Sequence, residues 1–350
     1  MIDAGHRSCV EAALNHEKTD RTPVNNFVLA TAARSAGVTV ETARWDPKLS
    51  AKVSVDHAVK TKSDFVKPVL DSQVPFRDLG MEVRFPEDDY GQIMKPIATD
   101  AQQIDDLAVF DPSVASECPN FQKVFVEALE ETARILPEDL HICGLSWGPV
   151  TSAGYVMGVE NMVMGTLIEP DTVKKLVSKI TGLVSGMQKR MLEAGATVMW
   201  MADPTSSEDL ISPDMFGEFS APYIKRVVSD VNTMDSNVPT FVHICGKTLN
   251  ILEQMPGTGA DCLSFDHAVD PAKAKETAGR KISIMGNIDP VQVMMMGTPE
   301  KIREECYRVI DAAGNDSGGF ILAPGCETPI STRDENVLAM GEAARTYWTR

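Results

Sequence analysis

Residues 239–245 read PTFVHIC and residues 319–326 read GFILAPGC. Each is a short apolar run closed by a polar residue, Gly or Cys, the pattern of a strand buried on both faces. Four more runs of this type lie from about residue 138 onward: LHICGLS (140–146), TVMWMAD (197–203), ADCLSFD (260–266) and KISIMGN (281–287). Helical periodicity separates them. Residues 170–194 place Val173, Leu176, Val177, Ile180, Leu183 and Val184 on one stripe, and 298–313 open on Thr-Pro-Glu, a cap followed by Pro at the first helical position, and end at Gly314. PVNNFV (23–28) and DFVKPVL (64–70) supply two earlier strands and bring the count to eight. An α/β chain alternating in this way predicts a (β/α)8 TIM barrel with N-terminal helices, and the stretch from about 71 to 118 reads as an insertion of hairpin and loop after the second strand. A doubly wound open sheet is the runner-up; no Gly-x-Gly-x-x-Gly follows the first strand and no Walker loop is present. Nothing reads as a linker or internal repeat, so one domain over residues 1–350 is expected.

Composition narrows the function classes. Fifty acidic against thirty-three basic residues give a formal charge of −17, which repels nucleic acid and anionic lipid alike. No uncharged stretch is long enough to span a bilayer, and the opening residues lack the basic-then-apolar layout of a secretion signal, so a cytoplasmic location is expected. Seven cysteines are odd in number and widely spread, which favours free thiols or metal ligands over a disulfide framework.

In a barrel the strand ends at the C-terminal face carry the chemistry. The residues there are Asp71; Cys143, Ser146 and Trp147; Asp203; His243 and Cys245; Asp266 and His267; Asn287 and Asp289; and Cys326 with Glu327. His243 and Cys245 are two apart, so on a strand they point the same way, and barrel closure brings Cys326 to the same opening. A Cys, Cys, His set with a fourth position left open is the arrangement of a catalytic zinc. A cysteine at a strand end is also an ordinary small buried hydrophobe. The chain moreover holds the tetrapeptide twice: His141-Ile-Cys143-Gly144 repeats His243-Ile-Cys245-Gly246 at another strand end, and spacing alone cannot choose between the copies.

His243-Ile-Cys245-Gly246, Ala202-Asp-Pro204 followed by Ser212-Pro-Asp214, Met285-Gly-Asn287 and Leu322-Ala-Pro-Gly-Cys326 together resemble the uroporphyrinogen decarboxylase superfamily, specifically its zinc-dependent cobamide methyltransferase branch. The resemblance covers most of the chain, including residues 144–149 and the helix after Lys18-Thr-Asp-Arg-Thr-Pro23. It implies a barrel, a Zn2+ ion on His243, Cys245 and Cys326, and methyl transfer to or from the cobalt of a corrinoid (cobamide) held by a partner protein. It also favours the second His-x-Cys copy. Asp203 or Glu327 is then the candidate for a fourth, displaceable ligand, or for the group that orients His243; each is equally an ordinary loop-capping carboxylate.

The departures from the family pattern carry information. True decarboxylases have an Arg-Gln-Ala-Gly-Arg stretch to hold the porphyrinogen carboxylates, where this chain has 25–37 with Arg34 as its one cation, so decarboxylation is disfavoured. The coenzyme M methyltransferases align a Glu with Trp147 and Glu-Lys with Asp266-His267. Trp147, Asp266 and His267, with Asp71 and Asn287 from the other strand ends, are the expected substrate- or corrinoid-facing residues; Asp71 is equally a helix-capping candidate, and Trp147 offers a flat apolar wall for an aromatic ring. O-demethylation of a small methoxylated aromatic compound to Co(I) is the leading expectation. Transfer from methyl-cobalt to a thiol such as coenzyme M is the alternative, and a non-catalytic zinc or ligand-binding barrel the third. A homodimer is the assembly entertained.

Overall fold

Apolar runs flanked by turn-formers become the staves of a barrel because a strand buried on both faces needs a neighbour on each edge to satisfy its amides. The computed structural model describes residues 5–137, 139–314 and 318–349. Its first strand is β1 (Phe65–Val66), followed by a two-stranded antiparallel hairpin, β2 (Val83–Arg84) and β3 (Gln92–Ile93). The main series is β4 (His141–Trp147), β5 (Val198–Ala202), β6 (Thr240–Ile244), β7 (Cys262–Phe265), β8 (Ser283–Ile288) and β9 (Phe320–Pro324). Seven strands form one parallel sheet in the order β1-β4-β5-β6-β7-β8-β9.

The eighth stave is a fragment. Val24 makes a lone parallel bridge to Leu322, and the Asp64 N–H donates to Val24 O at 2.8 Å, so residues 23–25 join β9 to β1. The expected strand over 23–28 stops there because the Asn25 side chain turns the backbone: its Oδ1 accepts the Phe27 N–H at 2.9 Å, and Phe27 adopts φ 43°. That left-handed conformation is uncommon for a bulky side chain and clusters at functional sites. The strand expected over 64–70 is likewise cut to two residues, since Pro68 has no amide to pair and the Leu70 N–H turns back to Pro68 O.

A buried ion cluster pins this closure. Arg21 grips Asp64 with two bonds of 2.9 and 2.6 Å, the Val24 N–H donates to the same carboxylate at 2.7 Å, and His6 Nδ1 lies 2.7 Å away. Burial pushes the Asp64 carboxyl up, but the bonds from His6 and Arg21 hold it below the usual carboxylate range.

Helices cover the outside. The longest, Pro170–Glu193, turns Val173, Leu176, Val177, Ile180, Val184 and Met191 onto the sheet, with Asp171 in its first turn and Arg190 in its last, as the helix dipole favours. Pro299–Ala313 is capped by the Thr298 hydroxyl and stops at Gly314. Inside the barrel, Trp200 and Phe241 are register partners on β5 and β6, with ring centres 5.8 Å apart. Their layer forms the floor beneath the mouth.

Candidate metal centre

Register separates the two copies of His-Ile-Cys-Gly. In the second copy, His243 is the fourth of the five residues of β6, so Cys245 stands just past the strand at the mouth. In the first, His141 opens β4 and four more residues of strand follow Cys143. The first copy therefore lies at the closed end of the barrel, which corrects the expectation that both occupy C-terminal strand ends. His141 stacks on Phe65, its register partner, and Cys143 is buried, its thiol pushed up to about 11 by burial. The signal was present in the sequence: Gly-Leu-Ser-Trp continues the apolar run after Cys143, whereas Gly-Lys-Thr ends it after Cys245.

Burial lowers His141 to about 4, and does the same to His57 on the helix Pro47–Lys60. Both fold as neutral rings. Their contribution is fully present above pH 6.5, the value in the unfolded chain, and is lost as pH falls toward 4. Unfolding free energy, measured by urea titration at several pH values, should fall across that window by up to about 1.4 kcal/mol per pH unit for each ring. His141→Asn should remove about half of that slope.

At the mouth, three ligand atoms converge. His243 Nε2 is 3.0 Å from Cys245 Sγ, Cys245 Sγ is 3.5 Å from Cys326 Sγ, and all three atoms lie within 4.8 Å of one another. Cys326 follows β9 through Gly325, whose Cα lies against the Asp266–His267 backbone so closely that a Cβ would meet His267 N at 2.4 Å. Gly246, at φ 76°, turns the chain directly after Cys245. Sharing a hydrogen bond with Cys245 holds the Cys326 thiol well below its usual range and pushes that of Cys245 up, so one sulfur ionises readily. One imidazole nitrogen and two sulfurs within reach of a single ion, beside an open cavity, fit a zinc ion with a free coordination position.

The group that orients His243 is one that sequence reasoning missed. Ser264, its register partner on β7, places Oγ 2.9 Å from His243 Nδ1, leaving Nε2 free to face the thiols. Asp203 does not fill this role. It is fully buried, and its oxygens accept the Thr151 N–H at 2.7 Å and the Val150 N–H at 3.4 Å, capping the helix Pro149–Met157. Glu327 also stands outside the converging group among the described residues. It accepts the Tyr90 hydroxyl, and burial raises its carboxyl to about 8. Ser264→Ala should weaken zinc binding by about 10-fold, read by competition with a chelating dye, because an outer hydrogen bond to a ligating imidazole is worth about 10- to 100-fold.

A cavity of about 170 Å³ adjoins the triad. Trp147 and Asp71 line it, although the Asp71 oxygens are already bound to Arg44 (2.7 Å), Gly91 N–H (2.7 Å) and Gln73 N–H (3.0 Å). Asp266, His267 and Asn287 are not part of that lining. Asp266 accepts the Ala268 N–H and pairs with His267 at 2.7 Å, while Asn287 Nδ2 donates to the carbonyls of Asp266 and Val269, tying down the loop after β7. Tyr90 and Phe27 are lining residues without a sequence signal. Tyr90 arrives from the turn of the β2–β3 hairpin, so the predicted insertion is a wall of the site.

A model of the uroporphyrinogen decarboxylase (URO-D) family matches residues 6–347. The chain belongs to this family. Within it, the chain is 32% identical over 227 residues to a methylcobamide:CoM methyltransferase of Methanosarcina acetivorans, an alignment covering 64% of this chain and 63% of that protein, just under two thirds of the relative's length. It is 26% identical over 303 residues to a methylated-thiol–coenzyme M methyltransferase of Methanosarcina mazei, covering 87% and 78% of the two chains. A solved methyltransferase structure from Methanosarcina mazei superposes with a TM-score of 0.87 at 25% identity, over 98% of this chain and 99% of that one. The family's TIM-barrel fold is thus shared from end to end. No described helix is long and apolar enough to cross a membrane.

Proposed function

We propose that this chain transfers a methyl group between the cobalt of a corrinoid carried by a partner protein and the sulfur of a small thiol, with a zinc ion held by His243, Cys245 and Cys326. The observation that carries this reading is the convergence of that imidazole and those two thiols at the edge of the cavity. The names of the two methyltransferase relatives lean toward a thiol and away from the aromatic ether that the sequence first suggested. When bound, zinc would supply a Lewis acid that lowers a substrate thiol's pKa and keeps its sulfur nucleophilic.

Around it, the chain's own residues have separate tasks. Ser264 holds the His243 ring through Nδ1, the register of β6 holds the imidazole at the mouth, and the apolar wall offers a packing surface for the body of the thiol. In the transfer, the substrate sulfur forms a bond to the methyl carbon while the cobalt–carbon bond breaks with its electron pair left on the metal, so Co(III) becomes Co(I). The thiol proton leaves to solvent. The reverse direction on an aromatic methyl ether keeps one supporting observation, Trp147 in the cavity lining. Decarboxylation of a tetrapyrrole has none, because its carboxylates need cationic partners and none of the described lining residues is lysine or arginine.

The test is demethylation of methylcobalamin followed by its absorbance, with zinc quantified in the same preparation. Thiol-dependent conversion by zinc-loaded protein is expected. Zinc-loaded protein that leaves methylcobalamin unchanged with every thiol, but demethylates methoxybenzoates with reduced corrinoid, would restore the ether reading.

A further inference from the structure

Phe27, Leu29, Leu70, Leu145 and Trp147 form an apolar wall of the cavity. Two buried cations stand behind this lining, and neither is a lining residue. Arg44 pairs with Asp71 at 2.7 Å and donates to the Asp89 carbonyl. Lys67 donates to Asn25 Oδ1 at 2.7 Å and lies 4.8 and 4.4 Å from the ring centres of Phe27 and Trp200. The carboxyls on the wall are also engaged, Asp71 with Arg44 and Glu327 with Tyr90.

A charged terminus taken into such a site loses its water and gains no counter-charge, and a buried ion without a partner is strongly disfavoured. We propose that the small-molecule methyl partner of this site is uncharged, a neutral thiol or thioether with an apolar body packed on Trp147 and the leucines. This rests on the methyl-transfer reading above.

The experiment uses the full chain loaded with zinc and three thiols of similar length: 1-propanethiol, 2-mercaptoethanesulfonate and 2-aminoethanethiol. Calorimetric titration should show 1-propanethiol binding about 100-fold more tightly than either charged thiol. Equal or tighter binding of the sulfonate or the ammonium compound overturns the proposal. Gln73→Arg, which adds a cation to the lining, should improve sulfonate binding by about 10-fold; no gain in a variant with unchanged circular dichroism also counts against it. Methylcobalamin conversion is followed with the same panel. Tight 1-propanethiol binding with no methyl transfer to any thiol defeats the methyl-transfer reading and leaves the charge preference standing, whereas fastest methylation of the sulfonate does the reverse.

Discussion

Cys326→Ala should lose its zinc and its methyl transfer together, while Cys143→Ala should keep both. Cys326 is one of three ligand atoms within 4.8 Å, and no fourth His, Cys, Asp or Glu among the described residues joins that group, so no neighbour can take its place. If an outer hydrogen bond to a ligand is worth about 10- to 100-fold in affinity, loss of a ligand itself should exceed about 100-fold. Cys143 carries the same flanking tetrapeptide but lies buried in the first half of β4, four residues before that strand ends at Trp147. Its replacement should act on packing alone. Zinc content by elemental analysis, set beside methylcobalamin conversion, checks both variants. A Cys326→Ala protein that retains stoichiometric zinc would remove the basis for the centre described above.

Asp64→Asn is expected to cost about 3–5 kcal/mol of stability, the usual result of removing one partner from a buried ion pair. Asp64 has no solvent exposure, and its charge is matched by Arg21, which is itself 5% exposed. The amide keeps the shape but removes the negative charge that Arg21 grips and loosens the 23–25 segment that joins β9 to β1. The urea midpoint should fall with little change in slope. The ionised carboxylate's share of stability is fully present above its unfolded value of 3.8 and is lost only as pH drops below it. Wild type and variant should therefore converge in acid.

Much of the architecture was legible along the chain. Runs such as TVMWMAD and PTFVHIC are apolar on both faces, and that pattern suits a parallel strand sheathed by helices. The capped start at Thr298-Pro is a local signal, and it appears as a helix with that residue as its cap. PVNNFV read less well, because β propensity says nothing of an Asn side chain that closes back on the amide two residues on.

The candidate site was half legible. His243, Cys245 and Cys326 are soft ligands at strand ends, a property of residue type and spacing. Asp203 carried the same kind of signal and proved to cap a helix, since a buried carboxylate is drawn to the nearest unpaired amides. Ser264 and Tyr90 were invisible for the opposite reason: a serine on a strand and a tyrosine in a hairpin turn are ordinary until the fold sets them beside an imidazole and a carboxyl.

Strand and helix identity, the acidic surface and the inventory of thiols and imidazoles were determined by the sequence by itself, because they depend on periodicity and side-chain chemistry within a few residues. Which His-Ile-Cys-Gly reaches the mouth, which group orients its ring, and how little positive charge faces the cavity were decided only by the tertiary structure. Those depend on register between strands dozens of residues apart, where a shift of one strand length exchanges the closed end of the barrel for the open one.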